Sequence, residues 1–455
     1  MQQVRCWFAV VAVGAFSIPL SVGGAEADRY LTVVCRYADA MLAHGRDTYG
    51  PAHSPLFASA LDRKALKLPS FVPSAPEGVR EGDRTLSGAN PMHDENFYRL
   101  LYALSELAGD KRYEAAADDA LRFFFTHCQS KATGLLAWGE HLGWDFHTEA
   151  VLKGRDIHEY YRPWVLWDRC FVLAPEACLQ FAGGVWEHQI ADHQTGNFNR
   201  HARFDRHGPE RDKEFPRHAG FYIATWSAAY ARTKDPVFVR ACEVLLDSFE
   251  RRREPDGRFP SANPRSDLSW AIDIWNASSL VPESLGRRMR DAAKKTDDAY
   301  TRKFKGGIPS KADILWKTAY GDATTAMEAM ICYERYRQTE SKALGELVVK
   351  AAEYYLSADP PGEITVYPGV YGEVISLLAA AYRVTGQERF LQRSEALADK
   401  ALLVFWNDGP LPRASSHHAH YEAITRADTL ALALLELWSI RLRPDQPLVF
   451  SWVDR

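Results

Sequence analysis

Beyond its first two dozen residues, this 455-residue chain has no apolar run long enough to cross a bilayer, no CxxC pair and no sustained β-branched alternation. Each absence removes a class of protein. The first excludes a membrane span downstream of the N-terminus. The second, with only seven cysteines scattered at 6, 35, 128, 170, 178, 242 and 332, excludes a dense disulfide framework. Several of these cysteines lie in apolar helical runs, so buried thiols are expected, with one or two disulfides open in an oxidising compartment. The third leaves little to build sheets from. Charge of one sign is also lacking: 55 Lys and Arg oppose 59 Asp and Glu, a net −4. That balance argues against nucleic acid or an anionic membrane as partner.

The N-terminus reads as a targeting segment. Arg5 supplies positive charge, residues 7–22 are apolar, and Ala25-Glu26-Ala27 places small residues where a signal peptidase cuts. The reading is a signal peptide over 1–27 and a mature chain from about Asp28, exported to a periplasm or beyond, with an uncleaved anchor as the alternative.

What is abundant is helical periodicity. Residues 98–125, 221–249, 325–356 and 372–405 share one plan: a helix, a short polar turn (AGDKRY, TKDPVF, TESKAL, TGQERF), then a second amphipathic helix. The hairpins are unevenly spaced, unlike a strict solenoid. Long irregular stretches at 44–96, 134–160, 191–218, 252–275, 303–318 and 357–371 separate them. Short turns within pairs and long connections between pairs predict an all-α fold. Residues 28–455 are expected to form one catalytic (α/α) barrel, a toroid of six or seven hairpins, with an open helical-repeat scaffold as runner-up.

Eight of the fifteen histidines fall between 141 and 218: His141, His147, His158, His188, His193, His201, His207 and His218. Trp138, Trp144, Trp164, Trp167 and Trp186 lie close by, and Arg200, Arg203, Arg206, Arg211, Lys213 and Arg217 add positive charge. Imidazoles with carboxylates suit a transition metal, aromatic faces suit sugar rings, and guanidinium forks suit carboxylates. A solvated loop compensated by Asp205, Glu210, Asp212 and Glu214 is the plain alternative. Gly139-Glu140-His141, His158-Glu159-Tyr160, read as opening a helix that contains PWVLWDRC, and Asn199-Arg200-His201 stand out. His141, Glu159 and His201 would give a His₂–carboxylate site with open positions for Mn²⁺, Fe²⁺, Ni²⁺ or Zn²⁺, its ligands drawn from different elements.

The order WG-x-H, HE, FNRH in an all-helical exported chain resembles the metal-dependent pectate lyases of polysaccharide lyase family 2, best over roughly 95–230. The resemblance implies metal ligands at His141, Glu159 and His201, Arg200 as the Brønsted base, and a divalent cation, Mn²⁺ favoured, with Ni²⁺, Zn²⁺, Fe²⁺ or Ca²⁺ also compatible. The chain departs from the family in having WGEH and HEYYRPW, which bears on the substrate more than on the metal. The implied reaction is β-elimination from an anionic polysaccharide or oligosaccharide, polygalacturonate favoured. Arginine is normally always protonated, so an alkaline optimum is expected and Tyr160, Tyr161 or Lys317 are substitute bases. Arg46, His53, Trp138, Tyr160, Arg217 and Lys317 are the remaining substrate-binding candidates; around Arg46, Asp47 and His53, a structural turn with an Arg–Asp pair is as good a reading. The three histidines of 415–428 belong to a rim loop, a second metal patch or, preferred, a satisfied cap on the last helix. Two other readings compete: an (α/α)-barrel glycoside hydrolase such as an unsaturated glucuronyl hydrolase, using Asp94 or Asp168, and a non-catalytic carbohydrate-binding toroid.

Overall fold

The protein is described by a computed structural model covering residues 22–152, 157–158, 160, 162–208, 219–260, 264–317 and 323–455. The expected signal peptide, 1–27, lies outside them up to residue 21. Fifteen helices occur among the described residues: α1 (Val22–His44), α2 (Glu95–Ala108), α3 (Lys111–His127), α4 (Trp167–Leu173), α5 (Pro175–Gly184), α6 (Ala219–Thr233), α7 (Pro236–Arg251), α8 (Pro264–Ala277), α9 (Glu283–Lys303), α10 (Ala312–Leu315), α11 (Thr325–Thr339), α12 (Lys342–Tyr355), α13 (Pro368–Thr385), α14 (Glu388–Phe405) and α15 (Ala427–Leu442).

Helices α6, α8, α11, α13, α15 and α2 pack side by side in that order, and the short pair α4–α5 closes the arc between α6 and α3. Helices α3, α7, α9, α12 and α14 lie outside their partners, and α1 packs on α15. The expected all-α toroid of hairpins is what forms. Composition explains the layering. The sequence of α15, ADTLALALLELWSIRL, is apolar on nearly every side and is buried from Ala427 to Leu437. Outer α9 instead carries a charged solvent face over a buried stripe of Leu285, Met289, Ala292, Ala293 and Tyr300.

One rim has only short turns, set by local chemistry. Gly109 and Gly386 end α2 and α13 at φ 66° and 69°, where glycine avoids a Cβ clash. The side chains of Asp110 and Asp235 cap the next helices by accepting from Arg112 N and Val237 N. Every long connection lies on the opposite rim, where the inner helices begin. Their N-termini therefore point at the long loops, and aligned peptide dipoles make that mouth favourable to anions. An antiparallel pairing of Ala60 with Glu422 and Leu61 with Tyr421 ties the first mouth loop to the last.

Three expectations need correction. The stretch 252–275 is not irregular throughout, because α8 begins at Pro264; proline at the first helical position is a start signal rather than a breaker. The described residues of 158–166 are not helical; α4 starts at Trp167, and Pro163 disfavours helical geometry in the residue before it. Asp47 does not pair with Arg46: its carboxylate accepts from Tyr49 N, Ser54 N and Ser54 Oγ, so the turn is structural but closed by backbone. The six cysteines after Cys6 are free thiols, all buried except the partly exposed Cys35.

After α15 the chain turns back along that helix. Leu448 N donates to Ser439 Oγ, Phe450 N to Glu436, and Asp454 receives Thr429, Asn96 and Arg162. Arg455 pairs with Asp273 at 2.7 Å, both side chains at most 4% exposed. Residues 448–455 thus run beside the inner helices toward the mouth.

Candidate metal centre

Three loops of the long rim build the site. The first carries Asp83 on a single helical turn, Glu81–Asp83. The second, after α3, turns at Gly139, whose φ of 122° suits glycine alone. Asn90 grips that residue from both sides, its Nδ2 donating to Gly139 O at 2.7 Å and its Oδ1 accepting from Gly139 N at 3.2 Å. Trp138 is thereby sent inward, while Glu140 and His141 face the mouth. In the third, Ile157 pairs antiparallel with Ala202, and Ile157 N donates to Ala202 O at 2.9 Å. That register sets position 158 opposite position 201, and the two imidazole rings lie 4.9 Å apart between centroids.

One ligand atom from each of Glu140, His141 and His158 lies within 4.8 Å of the others. His158 is 9% exposed, and its Nδ1 is in ion-pair contact with Glu140 Oε2 yet makes no well-formed hydrogen bond. Its Nε2 accepts from Arg200 Nε at 2.9 Å. His141 Nε2 is 3.9 Å from Glu140 Oε2, and its Nδ1 is 2.8 Å from Asp83 Oδ1. Arg80 bridges Asp83 Oδ2, at 2.6 Å, and Glu140. Burial alone would raise the Glu140 carboxyl. Hydrogen bonding with His158 and the electrostatic pull of His158, His141 and Arg80 outweigh it and hold the group at about 2. A carboxylate kept ionised and two imidazoles form a donor set that fits a divalent cation.

Of the sequence-predicted ligands, His141 is in this cluster and His201 stands beside it; Glu159 lies outside the described residues. Arg200 is at the cluster. Trp138 is 4% exposed and stacks on Tyr160, with centroids 5.8 Å apart and planes at 8°, within an aromatic layer that includes Phe124, Trp164 and Phe181. The Tyr160 hydroxyl is buried without a hydrogen-bond partner, and desolvation pushes it well above the ordinary tyrosine range, unlike a base at work on a solvated chain. Arg46 lies over the Phe57 ring, and His53 is exposed on the same turn. Lys317 is exposed beside Trp316, which packs on Tyr371. Arg217 and Tyr161 lie outside the described residues. Asp94 is 1% exposed, and burial pushes its carboxyl well above the ordinary range; Asp168 is on the outer surface paired with Arg232. In the 415–428 loop, His417 bonds Thr365, His418 bonds Ser415 and His420 bonds Glu422, a satisfied loop rather than a second metal patch.

Sequence reading passed over Glu140, His158, Asp83 and Arg80. The first two adjoin His141 and Glu159 within the very motifs that were read. Asp83 and Arg80 lie in REGDRT, which carries no local signal.

Residues 54–238 match the family model described as periplasmic pectate lyase, so the resemblance holds over that span, which contains every cluster residue. Among solved structures, cellobiose 2-epimerase from Bacillus thermoamylovorans B4167 is similar at 12% identity and a TM-score of 0.45, over 89% of this chain and 99% of that one. Unsaturated glucuronyl hydrolase from Bacillus sp. GL1 is similar at 11% identity and 0.42, over 92% and 97%. A polysaccharide lyase is similar at 10% identity and 0.43, over 91% of this chain and 53% of that one. Among the described residues, no helix is long and apolar enough to cross a membrane.

Proposed function

We propose, from the match to the periplasmic pectate lyases, that this is an exported polysaccharide lyase that cleaves a uronate-containing chain, polygalacturonate foremost, by metal-assisted β-elimination. The observation that carries the proposal is the meeting of Glu140, His141 and His158 with Arg200 at the rim where the inner helices begin. A residue set able to hold a cation stands next to a guanidinium, at the mouth most favourable to anions.

In the reaction, the C5 proton of a uronate leaves, its electron pair forms the C4–C5 double bond, and the C4–O4 bond breaks, O4 departing with the bonding pair and taking a proton from water to become the new reducing end. The difficulty is a weakly acidic C–H beside a carboxylate. When bound, a divalent cation supplies positive charge to neutralise that carboxylate and the enolate-like charge that develops. His141 is common to both possible donor sets. Glu140 and His158 complete one; Glu159 and His201, implied by the family resemblance, complete the other. His158 fixes the Arg200 Nε and so orients the side chain, which takes the C5 proton as the neutral guanidine that an alkaline medium favours. Arg80, about half exposed, supplies further charge at the entrance.

The test is to incubate the protein with polygalacturonate, glucuronan and alginate, following the ultraviolet absorbance of unsaturated uronates with and without EDTA. Absorbance growth that EDTA abolishes supports the reading. Reducing ends without absorbance indicate hydrolysis. No product from any uronan, with no bound metal, overturns it.

A further inference from the structure

We infer that Asp83 is a positioning residue for His141: its carboxylate holds the imidazole as the Nδ1–H tautomer and so presents Nε2 to the cation. This rests on the reading of His141 as a ligand. The argument is geometric. Asp83 is 1% exposed, and both its oxygens are committed, Oδ1 to His141 Nδ1 at 2.8 Å and Oδ2 to Arg80 Nε at 2.6 Å. A carboxylate only accepts, so the shared proton resides on Nδ1. A neutral imidazole with Nδ1–H has its lone pair on Nε2, the atom turned toward Glu140 Oε2 at 3.9 Å. A carboxylate behind a ligating histidine fixes the ring and raises its basicity, and losing such a partner typically costs about 10–100-fold in metal affinity.

Arg80 extends the arrangement. It joins Asp83 to Glu140, so the carboxylate behind His141 and the carboxylate in front of it share one guanidinium. Displacement of Asp83 therefore disturbs two members of the donor set through separate contacts.

The experiment compares wild type, Asp83→Asn, Asp83→Ala and His141→Ala, each as the full chain. Mn²⁺ affinity is measured by calorimetry, and the His141 tautomer by ¹⁵N NMR of the metal-free protein. Asp83→Ala is expected to weaken Mn²⁺ binding about 10–100-fold and to replace the Nδ1–H signal with Nε2–H. Asp83→Asn keeps the shape and an acceptor oxygen, so it falls between wild type and Asp83→Ala and guards against a mere folding defect. Unchanged tautomer in Asp83→Ala, or Mn²⁺ affinity within threefold of wild type in both variants while His141→Ala loses binding, overturns the inference and leaves the metal reading standing. Failure of the wild type to bind Mn²⁺ overturns both.

Discussion

Glu140 shows how a single side chain is tuned by its neighbours. Its folded value of about 2 lies below the ordinary 4.5, so it favours the folded state above about pH 4.5, and that contribution disappears as pH falls toward 2. Glu140→Gln is therefore expected to lower the melting temperature near pH 6 and to match wild type near pH 2, which thermal melts across that range will check. The same substitution, set beside Glu159→Gln, decides which carboxylate binds the cation: the true ligand loses Mn²⁺ affinity by about tenfold or more. Arg200→Lys is expected to cut lyase activity at neutral pH by at least about 10²-fold, the usual worth of a positioned base. Retention of substantial activity would assign Arg200 to clamping the substrate carboxylate. His141 was legible in sequence because a tryptophan, a glycine and an acidic residue flank it in a recognisable motif. Asp83 was not, because its role arises from a contact between residues far apart in the chain, and REGDRT looks like any solvated loop.

At the scale of elements, hairpins were the easiest feature to read, since a 3.6-residue apolar stripe and a capped turn are local properties. The four hairpins read in the sequence correspond to α2–α3, α6–α7, α11–α12 and α13–α14. Helix α8 escaped notice because PRSDLS opens with a proline and polar residues, although Trp270, Ala271, Ile272 and Ile274 are buried along it. The bridge between Ile157 and Ala202 could not be anticipated: one pairing in a loop has no periodicity. Yet it brings the rings of His158 and His201 to 4.9 Å between centroids. Ile157→Pro removes the donor of the 2.9 Å bond to Ala202 O. The expected result is a sharp drop in Mn²⁺ affinity and activity with helical circular dichroism preserved, because no helix depends on that bond.

The whole molecule carries its polar groups where a barrel needs apolar filling. Asp428 is buried on α15 and raised to about 7, first by desolvation and then by the charge of Asp454. Its folded value lies above its ordinary 3.8, so it costs nothing below about pH 4 and destabilises increasingly as pH rises to 7. Asp428→Asn is expected to raise the melting temperature at pH 8 and leave it nearly unchanged at pH 4. Asp454 has the opposite value to the fold. Its carboxylate receives Arg162, Asn96 and Thr429 at 1% side-chain exposure, so Asp454→Ala removes the carboxylate paired with a buried guanidinium and should cost about 3–5 kcal/mol, measurable by denaturant unfolding. Neither effect was legible in the sequence, where nothing local marks Asp428 or Asp454 as buried.

That tail sets an order of assembly. Residues 448–455 supply the last partners of α2, α8 and α15, so a nascent chain shorter than this has Arg162, Asn96 and Asp273 without their counterparts. The inner helices reach their full set of buried polar contacts only once this segment has docked, however early the first hairpins form.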